Sequence, residues 1–257
     1  MAELVDGAWL AERLEDPSLQ LLDPRPPVRY FSGHIRGAIN VRADRLLEAL
    51  KDQGAEAAAS FLSEAGVSGE KALLVYDDAD GQLACTLAWI LEYLGHGRVL
   101  ILNERLASWM ERYGARALRP SRPPPGSFAP RVREELRVLL GEVLRRSSEI
   151  KLVDARSREE FLGQIELRGR GGRIPGAINI PWLEFLAKGR QLFLPPGQLA
   201  EKMRSLVPHG PLITYCSIGT RACVAFYGLK LAGYKDVRVY DGSFEEWASH
   251  PELPVEL

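Results

Sequence analysis

Short apolar runs recur along the chain, and each stops at polar or turn-forming residues. They fall at Leu19–Asp23, Leu73–Tyr76 and Val99–Asn103, and again at Ile150–Asp154, Leu212–Tyr215 and Val237–Asp241. Longer segments of helical character, such as Ala84–Leu94 and Arg221–Ala232, lie between them. Unbroken apolar strands separated by helices predict an α/β fold, a mostly parallel sheet with helices on both faces. In such sheets ligands bind beyond the carboxyl ends of the strands.

The pattern is written twice. Gly33-His-Ile-Arg-Gly-Ala-Ile-Asn-Val41 recurs as Gly172-Arg-Ile-Pro-Gly-Ala-Ile-Asn-Ile180, an offset of 139. Leu73-Leu-Val-Tyr76 recurs as Leu212-Ile-Thr-Tyr215 at the same offset, and Trp109 matches Trp247 at 138. Leu21-Leu-Asp-Pro-Arg25 recurs as Leu152-Val-Asp-Ala-Arg156 at 131, so the second copy carries an insertion of 8 residues within Gly163–Gly171. The period is too long for a solenoid. Two domains are expected, residues 1–118 and 131–257, joined by a linker over 119–130. The stretch Arg119-Pro-Ser-Arg-Pro-Pro-Pro-Gly-Ser127 has the composition of an extended, semi-rigid connection.

Composition narrows the class. The 257 residues are 46% hydrophobic and 26% charged, which excludes a disordered chain. Lys plus Arg number 33 against 34 Asp plus Glu, so nothing global points to nucleic acid or a membrane surface as partner. Three cysteines cannot build a disulfide framework. Cys85, Cys216 and Cys223, with only 4 His, also lack zinc-site spacing, so no metal is expected. No apolar run approaches the roughly 18 residues of a membrane span. Acidic Glu3 and Asp6 precede any apolar run, which reads as a cytoplasmic protein without a signal peptide.

The chemistry is expected where Leu212–Tyr215 ends. The chain continues Cys216-Ser-Ile-Gly-Thr-Arg221 and then enters an apolar helix. A strand, short loop and helix bring backbone N–H groups and a helix N-terminus toward one point, which suits an anion. A cysteine in that position favours the thiolate. Gly219 allows the tight turn, and Arg221 adds fixed positive charge. The alternative for Cys216, an inert buried residue, is the ordinary fate of a free cysteine. It is the natural reading for Cys223 and Cys85, which sit at equivalent helix starts.

Asp154-x-Arg156, Gly172-x-Ile-Pro-Gly-Ala-Ile-Asn179 and Tyr215-Cys-x-x-Gly-x-Arg-Ala222 together resemble the rhodanese family, in its tandem form, over nearly the whole chain. The resemblance implies two rhodanese-like domains, an active-site loop of six residues, a persulfide on Cys216 and sulfurtransferase activity confined to the C-terminal domain. It implies no cofactor. Phosphatases with a similar loop carry Cys-x5-Arg. Cys216 to Arg221 is Cys-x4-Arg, a tighter cradle that suits one sulfur rather than a phosphoryl group. In the first copy Asp77 stands in place of Cys216, within Asp77-Asp-Ala-Asp-Gly-Gln-Leu83, a loop one residue longer. That copy has no nucleophilic sulfur and is expected to be inactive.

The mechanism expected from these features is attack by Cys216 on the outer sulfur of a small donor, thiosulfate first among them. Cyanide or a thiol, including a protein thiol, then removes that sulfur. Ser217, Ile218, Gly219, Thr220 and Arg221 form the substrate-binding loop, with Trp182 and Arg158 as additional candidates. Family members that use mercaptopyruvate or thiosulfate resemble Cys-Gly-Ser-Gly-Val-Thr or Cys-Arg-Lys-Gly-Val-Thr, and this loop matches neither. Tandem thiosulfate enzymes often carry a further Arg just after Asp-x-Arg; Glu160 stands in that place here. 3-Mercaptopyruvate as donor, a persulfide carrier and a non-catalytic interaction protein are the alternatives. Asp154 with Arg156, and His34, read as structural, as do Phe185 and Trp247. Ile178 and Ile180 are expected in the core.

Overall fold

The computed structural model describes all 257 residues. It divides into two compact units, Met1–Arg133 with Lys188–Leu192, and Glu134–Ala187 with Phe193–Leu257. The Pro-rich segment 119–130 is extended, as its composition predicts, but it belongs to the first unit. There the Ser121 N–H donates to Tyr30 Oη at 3.1 Å, the Gly126 N–H to the Ser63 carbonyl at 2.7 Å, and Phe128 is buried. The change of unit comes after Arg133, slightly beyond the boundary expected from the repeat.

In the first unit Glu3–Val5, Val99–Leu102, Ala72–Val75, Leu19–Asp23 and Ile39–Asn40 lie side by side in that order, all parallel. Successive strand residues face opposite sides of a sheet. Leu74, Leu100 and Leu102 join Leu10, Leu106 and Trp109 in one buried layer. Leu73, Val75 and Ile101 are equally buried on the other face, where the helix Gln82–Tyr93 packs. This double burial is why the strands read as unbroken apolar runs.

The second unit repeats the plan with Val237–Val239, Leu212–Tyr215, Lys151–Asp154 and Ile178–Asn179, again all parallel. A single parallel bridge from Arg137 to Val239 stands where the first unit has Glu3–Val5. The helix Thr220–Leu231 is buried from Ala222 to Leu229. Phe185 packs flush on it at Gly228, where an added Cβ would lie 2.3 Å from Phe185 Cδ1. Ile180 is in the core, but Ile178 is only half-buried, because its two-residue strand lies at the sheet edge.

Most expected strand ends agree within two residues. Both central helices start two and one residues earlier than their apolar stretches, at Gln82 and Thr220. Gly81 and Gly219, both at positive φ, turn the chain from loop to helix, so the polar residues that follow already belong to the helix. No helix is long and apolar enough to cross a membrane.

Candidate active site

Each sheet carries the same polar frame at the carboxyl ends of its strands. Asp154 is fully buried and accepts hydrogen bonds from Arg156 Nε and Nη2 at 3.0 and 2.6 Å. Arg156 Nη2 also reaches the Gly172 carbonyl at 2.8 Å. Asn179 Nδ2 donates to the carbonyls of Asp154 and Arg156 at 3.1 and 3.0 Å, and Tyr215 Oη accepts the Ile174 N–H at 3.3 Å. Asp23, Arg25, Asn40 and Tyr76 make the matching contacts in the first unit. The paired Asp and Arg therefore tie loops together, as expected. His34 is also structural: it is buried, stacks on Tyr30, and its Nδ1 lies 2.9 Å from the Tyr30 carbonyl oxygen. Its counterpart Arg173 pairs instead with Glu256 at 2.6 Å.

Cys216 follows the fully buried strand Leu212–Tyr215 and is itself 0% exposed. The Gly219 N–H donates to Cys216 Sγ at 3.1 Å. This places a backbone donor on the sulfur, where negative charge would reside in a thiolate. Gly219 has φ of 103°, and a Cβ there would lie 2.9 Å from the Asp241 carbonyl oxygen, so only glycine fits.

The segment Tyr240–Glu245 forms the floor beneath this loop. The Cys216 N–H donates to Ser243 Oγ at 3.1 Å, and Ser243 Oγ donates to the Tyr240 carbonyl at 3.0 Å. The carbonyls of Cys216 and Ser217 accept from the N–H groups of Phe244 and Glu245, both at 2.9 Å. Asp241 is fastened below by Arg137 through two hydrogen bonds of 2.9 and 2.8 Å. Ser243 adopts φ of 59°, one of two non-glycine residues in the left-handed region. Sequence reading missed this floor. Gly242 would be the natural carrier of a positive φ, but it is Ser243 that has it, with Gly242 at −57°.

One wall comes from the short helix Arg158–Phe161. Ser157 caps it, with a capping box to Glu160. Ser-x-x-Glu is a helix-start signature, and it turns Glu160 inward. Glu160 Oε2 and Oε1 accept from Arg221 Nη1 and Nη2 at 2.7 and 2.9 Å. Ser217 Oγ donates to Glu160 Oε1 at 2.8 Å and accepts from Arg221 Nη2 at 2.5 Å. Burial by itself would raise the Glu160 carboxyl, but the hydrogen bonds from Arg221, the Ser157 N–H and Ser217 bring it down to about 2. Burial likewise works against the Arg221 cation, and Glu160 together with the neighbouring Cys216 holds it protonated.

The candidate residues thus have distinct places. Ser217 and Arg221 join Glu160 in one network. Ile218 is 45% exposed at the outer edge of the loop, and Thr220 opens the helix. Trp182 lies in a 3-10 turn with the Arg221 guanidinium 5.1 Å from its ring centroid. Arg158 is exposed at the start of its helix; Glu160, two residues on, reaches the loop instead. Phe185 and Trp247 are core. Cys85 and Cys223 are buried within their helices, and all three cysteines are free. No group of three or more His, Cys, Asp or Glu is placed to hold a metal ion.

In the first unit the corresponding loop is filled by its own carboxylate. Asp77 Oδ1 accepts the Asp78 N–H at 2.7 Å, and Oδ2 accepts those of Leu83 and Ala84 at 3.0 and 3.4 Å. Burial, reinforced by the charge of Asp78, raises Asp77 to about 7 despite these bonds. Asp78 turns to Arg25 and Arg29, at 3.2 and 3.3 Å, and Asp80 to the Gln82 side chain at 2.7 Å. All three carboxylates are thus engaged, Asp77 and Asp80 within the loop and Asp78 with Arg25 and Arg29 outside it.

A duplicated parallel sheet with a cysteine-bearing strand-end loop defines a tandem rhodanese fold. The family model for the rhodanese-like domain matches residues 6–112 and 139–250, and the chain belongs to the rhodanese family. It is 31% identical to a thiosulfate sulfurtransferase of Azotobacter vinelandii, covering 99% of this chain and 97% of that protein. It is also 31% identical to the sulfur carrier protein TtuD of Thermus thermophilus, covering 98% and 95%. Among solved structures it resembles SseA of Escherichia coli, described as a 3-mercaptopyruvate sulfotransferase with the rhodanese fold. That match has a TM-score of 0.83 at 28% identity over 95% of this chain and 99% of the other.

Proposed function

We propose that the protein is a sulfurtransferase that carries sulfane sulfur as a persulfide on Cys216 and transfers it from thiosulfate to a thiophilic acceptor. The observation that carries this reading is the Gly219 N–H at 3.1 Å from Cys216 Sγ, at the base of a strand-end loop. The Cys216 thiolate attacks the outer sulfur of thiosulfate. The new S–S bond forms as the old one breaks, and sulfite leaves with the electron pair. The terminal persulfide sulfur carries the negative charge, and backbone N–H groups of the Cys216–Arg221 loop stabilise it. Cyanide or a thiolate then attacks that sulfur, and Cys216 leaves as thiolate. Two half-reactions through a covalent enzyme give ping-pong kinetics. In this reading the first domain, with Asp77 in place of the nucleophile, takes no part in the chemistry.

The test is a donor panel read by mass. Thiosulfate should add one sulfur to Cys216, and cyanide should remove it. Cys216→Ser should take up none; retained thiosulfate:cyanide activity in that variant would overturn the assignment. A preference for 3-mercaptopyruvate in kcat/KM would move the donor toward that of the SseA relative. The likeness to TtuD favours a second reading, a persulfide carrier in a cytoplasmic sulfur relay. Slow thiosulfate turnover combined with rapid loading from a protein persulfide would select it.

A further inference from the structure

The one cation of the Cys216 loop is already paired. Arg221 spends both terminal nitrogens on Glu160, and one of them also on Ser217, the residue next to the nucleophile. The Arg221 and Glu160 side chains are 15% and 17% exposed, so both charges lie at the partly wetted edge of the loop. The bidentate geometry holds them as a unit. An anionic donor approaching Cys216 therefore meets a positive charge and a negative charge together, rather than the open cation that the sequence suggests.

We propose that Glu160 is a specificity-determining residue: by cancelling the charge of Arg221 it restrains capture of dianionic sulfur donors and shifts preference toward singly charged ones. This rests on the Cys216 persulfide reading and sharpens it by donor charge. The Coulomb energy of a donor in the field of Glu160 scales with the donor's charge. Thiosulfate, a dianion, should feel the carboxylate about twice as strongly as 3-mercaptopyruvate, a monoanion through its carboxylate. The carboxylate is ionised down to about pH 2, so the restraint holds across the working pH range.

Glu160→Gln keeps the shape of the side chain and removes the charge, with its NH2 group replacing one of the two oxygens that accept from Arg221. Persulfide formation on Cys216, followed as kcat/KM, should rise about tenfold with thiosulfate and about threefold with 3-mercaptopyruvate. Both gains should shrink as salt is added. Arg221→Gln, which leaves Glu160 uncompensated, should act in the opposite sense and penalise thiosulfate more. If Glu160 merely shapes the loop, Glu160→Gln will slow both donors by a similar factor, whatever their charge or the salt concentration, and the proposal fails. If the unmodified protein gains no sulfur at Cys216 from either donor, the persulfide reading itself fails and takes the proposal with it.

Discussion

Ser243 holds the backbone N–H of Cys216 at 3.1 Å while itself adopting a left-handed conformation, φ 59°, in full burial. A left-handed L-residue costs about 1–2 kcal/mol. The residue is placed so that its hydroxyl can join Cys216 to the Tyr240 carbonyl. In the first unit, which lacks the cysteine, the matching position is Arg105, with an ordinary φ of −67°. The strained serine thus accompanies the cysteine.

Ser243→Ala keeps the strain and strands a buried N–H, at a cost of about 1–3 kcal/mol. Ser243→Gly loses the same hydroxyl but relieves the backbone, so it should be the more stable variant by about 1 kcal/mol. Urea midpoints measure the difference. Single-turnover sulfur loading of Cys216 should be slowed in both, because the hydroxyl, not the φ, positions the loop.

Gly219→Ala places a Cβ 2.9 Å from the Asp241 carbonyl oxygen at φ 103°. The loop must shift away from the Tyr240–Glu245 floor, and the Gly219 N–H moves off the sulfur. Persulfide mass on Cys216 after a fixed loading time should fall by about tenfold, because the attacking sulfur loses its backbone hydrogen bond and its place in the loop. Retention of full loading would remove that hydrogen bond from the mechanism.

Arg156→Ala leaves Asp154 buried and uncompensated, and loss of one partner of a buried pair costs about 3–5 kcal/mol. Arg25→Ala should do the same to Asp23 in the first unit, through the matching frame. Denaturation curves should show comparable losses for the two variants. Only Arg156→Ala should also depress sulfur transfer.

Asp77 gives the first unit a stability that depends on pH. Its folded value of about 7 lies above its ordinary value of 3.8. The fold therefore favours the protonated form; stability is greatest below about pH 4 on this account and declines as pH rises toward and through 7. The span is at most about 4 kcal/mol. Asp77→Asn should flatten that decline, as urea midpoints collected across the interval would show. An unchanged slope would mean that another group controls it.

Much of this architecture is legible locally. Apolar runs at strand length, interrupted by helices, encode the parallel sheet, and the duplicated Gly-x-Ile-x-Gly-Ala-Ile-Asn segments encode the tandem arrangement. Cys216 and Gly219 lie three residues apart, so strand, loop and helix place them near each other, and the Tyr240–Glu245 floor holds the loop there. Glu160 was visible only as a departure from the family pattern. Its partners Ser217 and Arg221 lie 57 and 61 residues away, and no spacing rule connects them. Arg158, the more obvious cation, faces solvent because the helix starting there turns its inner face two residues later.

By itself the sequence determined the number of domains, their sheet-and-helix class and the single cysteine at a strand end, because each depends on neighbours along the chain or on the repeat between copies. Tertiary structure alone decided the charge at the site and the support beneath it. Those follow from which side chains meet across long separations: Glu160 with Arg221, Ser243 with Cys216, Arg137 with Asp241. Such meetings are set by helix entry angle and backbone conformation, and a buried charge or N–H takes whichever partner the packing brings within about 3 Å.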